Sequence, residues 1–79
     1  MNADDIDILK KVTLLGIMNK KPGETLKDIQ VMLVATGMYN MKEAKQIFKQ
    51  LKAEKYLMGG QLTLKGLTGA KEAEVLFRQ

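Results

Sequence analysis

Four lysines recur at spacings of three and four residues in the middle of the chain: Lys42, Lys45, Lys49 and Lys52. In an α-helix these positions fall on one face, within about a quarter of the circumference. Ammonium groups in this arrangement can neutralise nucleic-acid phosphates, and Gln46 on the same stretch has the amide needed to hydrogen-bond an adenine edge. The plainer interpretation of the same pattern is a solvated helix face.

Catalytic and metal chemistry find little support in the residue types present. The chain has no cysteine and no histidine. This excludes disulfides, thiol chemistry and Cys-ligated zinc, and it removes the commonest general base and transition-metal ligand. The nine carboxylates show no paired arrangement with each other or with the lysines. We therefore expect neither enzymatic activity nor a bound metal or cofactor.

The charge balance favours a polyanionic partner. The formal net charge is +4 and the isoelectric point is about 9.4, although modest basicity also aids solubility. All the cationic side chains are lysines except Arg78. Lysine neutralises phosphates well, whereas arginine is the usual bidentate reader of guanine. If the protein binds DNA, its side chains are better suited to hold the backbone than to read many bases.

Length and composition are typical of one globular domain covering residues 1–79. The chain is 46% hydrophobic and 28% charged, which is too apolar and too evenly mixed for a disordered chain. No apolar run approaches the ~18 residues that cross a bilayer. The first five residues, MNADD, are acidic where a signal peptide would be basic. We expect a cytoplasmic location, no membrane contact and no small-molecule substrate.

The first predicted helix covers residues 4–19, with aspartates at its beginning where the helix dipole favours anions. Its apolar stripe is broader than burial on one side requires. Either later elements cover it on two sides, or part of it lies in a dimer interface. The first alternative is favoured because small domains often bury their first helix centrally. Residues 20–23, Lys-Lys-Pro-Gly, end this helix.

A second helix begins at Thr25, which has Asp28 three residues on, as in a capping box. It ends at the Thr-Gly pair of residues 36–37, because glycine can take the left-handed conformation that closes a helix. The predicted core face consists of Leu26, Ile29 and Leu33, with Met32 alongside.

A third helix begins at Asn40, with Glu43 at the matching capping position, and runs to about Lys55. It has the clearest two-faced pattern in the chain, because its apolar residues share an arc beside the lysine arc. The apolar arc consists of Ala44, Ile47, Phe48 and Leu51, with Met41 at its border.

A Gly-Gly pair at residues 59–60 separates two short apolar runs, Tyr56–Met58 and Gln61–Leu64. This predicts a tight β-hairpin, since both central positions of a type I′ turn need a positive φ. If Met58 pairs with Gln61, then Leu57 and Leu62 share one face of the hairpin.

The last part of the chain is predicted as a break followed by a short helix. Residues 65–69 contain two glycines and are expected to be irregular, and the helix is expected over residues 70–78. The residues expected to pack inward are Ala70, Ala73, Leu76 and Phe77.

This order of elements resembles the winged helix-turn-helix superfamily, in particular MarR-like and PadR-like regulators, over residues 9–66. Residues 25–29 resemble the start of that family's second helix. Residues 52–58 resemble its junction between recognition helix and wing, and residues 62–66 the end of its wing. In the third helix, three residues match the buried positions of that family's recognition helix: Ala44, Phe48 and Leu51. The resemblance implies a mainly α fold with a small β-hairpin: a three-helix core, a two-stranded wing and a short C-terminal helix.

In that family the recognition helix lies in the major groove and its flanks touch phosphates. Carried over by position, the resemblance also places Glu43 toward DNA, although its predicted capping role is enough to explain a glutamate at this position. The candidate DNA-binding residues are Asn40, Lys42, Lys45, Gln46, Lys49, Lys52, Lys55 and Lys65.

Three departures from the family pattern shape these expectations. The wing tip has no arginine or lysine, so any wing contact with DNA comes from Lys55 or Lys65 at its base. The recognition helix has no arginine. The turn before it exposes Met38 or Tyr39 unless both tuck under the helix.

Two functions follow from the sequence. The first is a DNA-binding module, either a small transcriptional regulator or an accessory nucleic-acid-binding domain. The second is a winged-helix protein-interaction module, in which the broad apolar surface of the first helix and the hydrophobic face of the second (Val31, Val34) meet a partner or a second copy. A homodimer through the first and last helices is compatible with either. DNA binding predicts that Lys55 and Lys65, or Lys20 and Lys21, join the lysines of the third helix in one patch.

Overall fold

The computed structural model describes residues 3–78, with side chains described for residues 5–77. The described residues form four helices and one two-stranded antiparallel sheet. In chain order these are α1 (Ala3–Met18), α2 (Leu26–Ala35), α3 (Met41–Ala53), β1 (Leu57–Met58), β2 (Gln61–Leu62) and α4 (Leu64–Arg78). The expectation of a mainly α fold with a small β-hairpin is therefore confirmed. The side chain of Asp4, expected at the beginning of the first helix, lies outside the described residues.

The first helix, α1, lies at the centre of the packing. It contacts α4 most extensively and also packs against α2, α3 and β2. Thr13, Leu14 and Ile17 are buried, and Ile8 is the one large apolar side chain among its described residues that is exposed. The breadth of the apolar stripe on α1 is thus explained by burial against elements on more than one side.

Both predicted capping boxes are present and set the beginnings of α2 and α3. The Thr25 hydroxyl accepts from the Asp28 backbone N–H at 3.1 Å, and the Asp28 carboxylate accepts from the Thr25 N–H at 2.9 Å. Asn40 and Glu43 exchange the equivalent bonds at 2.8 and 3.0 Å. Each pair satisfies two N–H groups that a helix beginning otherwise leaves without partners.

The turn between α2 and α3 is fixed by a buried phenol. Gly37 closes α2 with a φ of 82°, and Tyr39 is then only 5% exposed while Met38 is half-buried. The Thr13 hydroxyl donates to the Leu9 carbonyl at 2.7 Å, so its one hydrogen is used. Tyr39 must therefore be the donor in the 2.9 Å bond between the two hydroxyls. The turn residues do tuck under the helix, and they tie α1 to it.

The end of α3 is closed by a lysine in a conformation that usually selects glycine. Lys55 has a φ of 65°. The Tyr56 N–H bonds to the Leu51 carbonyl at 2.8 Å and the Lys55 N–H to the Lys52 carbonyl at 3.1 Å. These two bonds define a Schellman motif with Lys55 as its left-handed residue. A non-glycine residue there costs on the order of 1–2 kcal/mol.

The hairpin has the predicted register, with Leu57 opposite Leu62 and Met58 opposite Gln61. Both glycines of its turn have a positive φ. The strands are only two residues each, so the flanking residues 56 and 63–64 lie outside them.

The helix α4 begins at Leu64, and the predicted break over residues 65–69 was wrong. Thr63 caps this helix: its hydroxyl accepts from the Gly66 N–H at 3.1 Å and donates to the Lys55 carbonyl at 2.6 Å. Glycine is required at position 66 because there is no room for a Cβ, and not because the backbone turns there. A Cβ at that position would overlap the Tyr56 carbonyl oxygen and lie 3.0 Å from the Leu62 side chain.

Three residues predicted to lie in the core are instead exposed. Met32 on α2 is 45% exposed, and Leu76 and Phe77 on α4 are 51% and 44% exposed. Because α4 starts six residues earlier than predicted, its inner face is already formed by small residues, of which Ala70 and Ala73 are fully buried. Leu76 lies to one side of this face, and Phe77 lies in the last helical turn.

Two glycine-to-alanine substitutions should have opposite effects on stability. Alanine favours a helix interior over glycine by up to about 1 kcal/mol. A Cβ at Gly16 would meet Ile29 and Leu33 at 3.5 Å, an ordinary contact. We expect Gly16→Ala to raise the free energy of unfolding by about 0.5–1 kcal/mol, and Gly66→Ala to lower it by about 2 kcal/mol or more. Urea unfolding followed by circular dichroism measures both, and equal effects would contradict the close approach at Gly66.

Burial raises the pKa of the Tyr39 phenol above its ordinary value of 10.0. Above about pH 10 the unfolded chain loses this proton while the native state keeps it, so stability falls as pH rises toward the raised pKa. We expect Tyr39→Phe to cost about 1 kcal/mol near pH 8, from the lost hydrogen bond to Thr13. That cost should shrink near pH 11, measured by urea unfolding at both pH values. A pH-independent difference would contradict this account.

Candidate nucleic-acid interface

The helix α3 divides into a buried apolar face and an exposed polar face. The buried side chains are Ala44, Ile47, Phe48 and Leu51, none more than 7% exposed. The exposed ones include all five predicted site residues of the helix: Lys42, Lys45, Gln46, Lys49 and Lys52. Packing against the core therefore fixes the direction in which the lysine face points.

A shallow groove of about 340 Å³ runs between α2 and α3. Its lining residues are Leu26, Lys27, Gln30, Lys45, Phe48, Lys49 and Lys52. Leucine and phenylalanine form its apolar part, four lysines flank it, and no carboxylate lines it. We call this feature the lysine groove. Such a surface presents a concentrated positive charge to any polyanion that lies along it.

Lys27 and Gln30 line the lysine groove, and neither was among the residues predicted from the sequence. Both are on α2, one and four residues after Leu26, so they follow helical spacing along its exposed flank. The pattern alone marks them as a solvated face. Only the packing of α2 against α3 brings them beside Lys45 and Lys49.

The carboxylates nearest in sequence to the lysine groove already have partners other than the groove lysines. Asp28 and Glu43 each accept a backbone N–H in a capping box. Glu54 is paired with Lys10, whose ammonium lies 2.9 Å from one carboxylate oxygen and 3.0 Å from the other. Within the part of the chain that the structure describes, no carboxylate forms a salt bridge with a lysine of the groove. Their ammonium groups are thus available to an external anion.

Asn40 stands at the beginning of α3, where it is exposed and its side-chain oxygen accepts the Glu43 N–H. This structural role occupies the oxygen and leaves the amide N–H₂ for an external acceptor. Gln46 lies on the exposed face of α3 next to the lysines and is free of any such capping bond.

The two candidates from the hairpin base occupy different surroundings. Lys55 is exposed and directly follows α3, at the left-handed position of the Schellman motif. Lys65 instead donates to the Glu54 carbonyl at 2.9 Å, and its ammonium lies 4.4 Å from the centre of the Tyr56 ring. This places Lys65 beside the Lys10–Glu54 ion pair, in a hollow of mixed charge bordered by α1 and α4.

The patch expected from the sequence is thus assembled differently from the prediction. Its core is the three lysines of α3 that line the lysine groove, joined by Lys27 rather than by Lys65. Lys20 donates to the Glu24 carbonyl at 2.9 Å, on the loop that precedes α2.

Residues 5–77 hold no group of three or more Asp and Glu side chains placed to bind a metal ion. Of the four helices described, none is long and apolar enough to cross a membrane.

Comparison of the chain with protein-family models, with curated proteins and with solved structures finds no match in any of the three.

Proposed function

We propose that the chain is a winged helix-turn-helix module that binds double-stranded DNA, as a small transcriptional regulator or an accessory DNA-binding domain. In this arrangement α3 lies in the major groove, and the lysine groove beside it holds the phosphate backbone. The observation that carries the proposal is the lysine groove itself, in which Lys27 of α2 joins three lysines of α3 with no carboxylate among them.

The path of the chain supports the same proposal. The helices α2 and α3 are joined by a short turn that Gly37 and the buried Tyr39 hold in place, and a hairpin follows α3 directly. This is the order in which a winged helix-turn-helix domain presents its recognition helix. A rigid turn matters for binding, since the helix that meets DNA is then ordered before it binds.

The side chains available favour backbone contact over base readout. The four groove lysines are point charges suited to phosphates, and residues 5–77, whose side chains are described, include no arginine to form bidentate bonds with guanine. The hairpin is short and its tip is two glycines, so its contribution to DNA contact comes from Lys55 at its base. We therefore infer modest sequence preference, with Gln46 as the base-reading residue, and a strong dependence of affinity on salt.

A second candidate function is suggested by α2. Val31 and Met32 are 48% and 45% exposed, next to each other on the side of α2 away from the core. A protein-interaction winged helix would use this surface for a partner and leave the lysine groove solvated. This second candidate function predicts that the chain does not bind DNA at moderate salt.

Titration with a mixed-sequence DNA duplex tests the proposed function. Four neutralised phosphates give a slope of log affinity against log salt of roughly −3 to −4. The amide signals of Lys45, Gln46 and Lys49 should shift together, because they face the DNA. Lys49→Gln should reduce the magnitude of the slope by about one, since one phosphate contact is lost.

Lys11→Gln is the matched control, because it changes the net charge equally but lies on α1 in the hollow of mixed charge. It should leave the slope unchanged. If Lys49→Gln and Lys11→Gln weaken binding equally, the attraction comes from overall charge and not from the lysine groove. If neither the shifts nor the binding occur while the chain remains folded, DNA binding is refuted.

Lys55→Gly should change stability and DNA affinity in opposite directions. Glycine relieves the positive φ of this position, so we expect the free energy of unfolding to rise by about 1 kcal/mol. The lost charge should lower the magnitude of the salt slope by up to about one. Chemical unfolding and duplex titration of the same preparation measure the two effects.

Lys55→Gln separates the two contributions, because it removes the charge and keeps a side chain at the strained position. It should weaken DNA binding as much as Lys55→Gly does, without the gain in stability. Unchanged affinity in both variants would remove Lys55 from the interface and leave the lysine groove as the whole contact surface.

A further inference from the structure

The helix α4 carries small residues on its inner face and large apolar residues elsewhere. Gly66, Ala70 and Ala73 are buried, and Gly69 is close enough to α1 that a Cβ there would lie 2.9 Å from the Leu14 side chain. By contrast, Leu64 is 81% exposed and Val75 is 60% exposed. A surface helix normally has the opposite distribution, with its large apolar residues toward the core. Packing within the monomer therefore does not explain why these large apolar side chains lie on the outside of α4.

An open hollow of about 430 Å³ lies on the outside of α4. It is lined by Thr68, Lys71, Glu72 and Val75. These four residues are related as i, i+3, i+4 and i+7, which is the set that forms a hole for one side chain of a facing helix in knobs-into-holes packing. Together with Leu64, we call this surface the outer face of α4. Its shape fits a second helix better than it fits a small molecule, since it is shallow and follows the helix surface.

The charges on this surface complement a copy of the surface itself. Lys71 and Glu72 are neighbours of opposite charge, and neither side chain has a hydrogen bond or an ion pair among the described residues. Two copies of α4 can meet antiparallel about a two-fold axis that passes midway between residues 71 and 72, at the middle of the helix. Lys71 of each copy then lies alongside Glu72 of the other, so both ion pairs form at once.

We propose that the outer face of α4 is a self-association surface, on which a second copy of this chain packs its own α4 antiparallel. The two Lys71–Glu72 pairs lie beside the two-fold axis, and Val75 of each copy packs against Thr68 of the other on either side of them. The chain exposes 5289 Å² in all, and a standard interface buries about 800 Å² on each partner. One face of a 15-residue helix provides less than this, so the dimer is weak and depends on concentration.

This dimer leaves the lysine groove uncovered. Among the residues of the outer face, Glu72 also lines the hollow of mixed charge beside α1, and α4 has at most marginal contact with α2 and α3. The two copies of α3 therefore remain exposed in the pair. Self-association stands independently of the proposed DNA binding, because it uses none of the groove residues.

Sedimentation of the full chain over about a hundred-fold range of concentration tests the inference, because a weak dimer changes its average mass across such a range. Val75→Lys should abolish the association, since it puts a charge in each of the two apolar contacts that lie on either side of the Lys71–Glu72 pairs. Val31→Lys is the matched control: it makes the same change at an exposed valine of α2 and should leave the association unchanged.

A charge swap distinguishes the antiparallel pairing from nonspecific apolar association. Lys71→Glu alone and Glu72→Lys alone each place like charges opposite one another across the two-fold axis, and each should weaken the association about five-fold or more. The double variant restores opposite charges and should recover it. A chain that stays monomeric at every concentration overturns the inference, as does a double variant that associates no better than the single ones.

Discussion

The hydroxyl of Thr63 holds together the corner on which the arrangement of the second half of the chain depends. It donates to the Lys55 carbonyl at the end of α3 and accepts from the Gly66 N–H in the first turn of α4. The Thr63 N–H also bonds to the Tyr56 carbonyl at 3.0 Å, which extends the hairpin by one pair. Three elements thus meet at one residue, and none of them can rotate without breaking a bond that another makes.

This corner also explains why two residues occupy positions that appear unfavourable. Gly66 is in the first turn of α4, although glycine weakens a helix, because the Tyr56 carbonyl lies where a Cβ would be. Lys55 has a positive φ because the chain must reverse within two residues to bring Tyr56 and β1 back over the core. The local cost at each position is offset by the contacts that the reversal allows, including the burial of Leu57.

Features that depend on a few neighbouring residues could be predicted from the sequence. The two capping boxes, the hairpin register and the buried face of α3 each follow from spacing within one element. The beginning of α4 could not be predicted in this way. Its two glycines are typical of a loop, and the reason that they are tolerated is an approach between residues ten positions apart, Tyr56 and Gly66.

The candidate site was predictable to the same extent. The lysine face of α3 follows from helical periodicity, whereas the part contributed by Lys27 depends on how α2 crosses α3. The separate position of Lys65 could not be foreseen either, because it results from the attraction between its ammonium, the Glu54 carbonyl and the Tyr56 ring. Sequence periodicity shows which face a residue is on, and it does not show which other element lies beside that face.

The small residues on the inner face of α4 have a consequence for the motions of the native state. Glycine and alanine let α4 approach α1 closely, but they remove little apolar area from water, and that area sets most of the free energy that holds an element in place. At this close approach the large apolar side chain is Leu14 of α1, so any opening of α4 would uncover an apolar surface that the closed form hides.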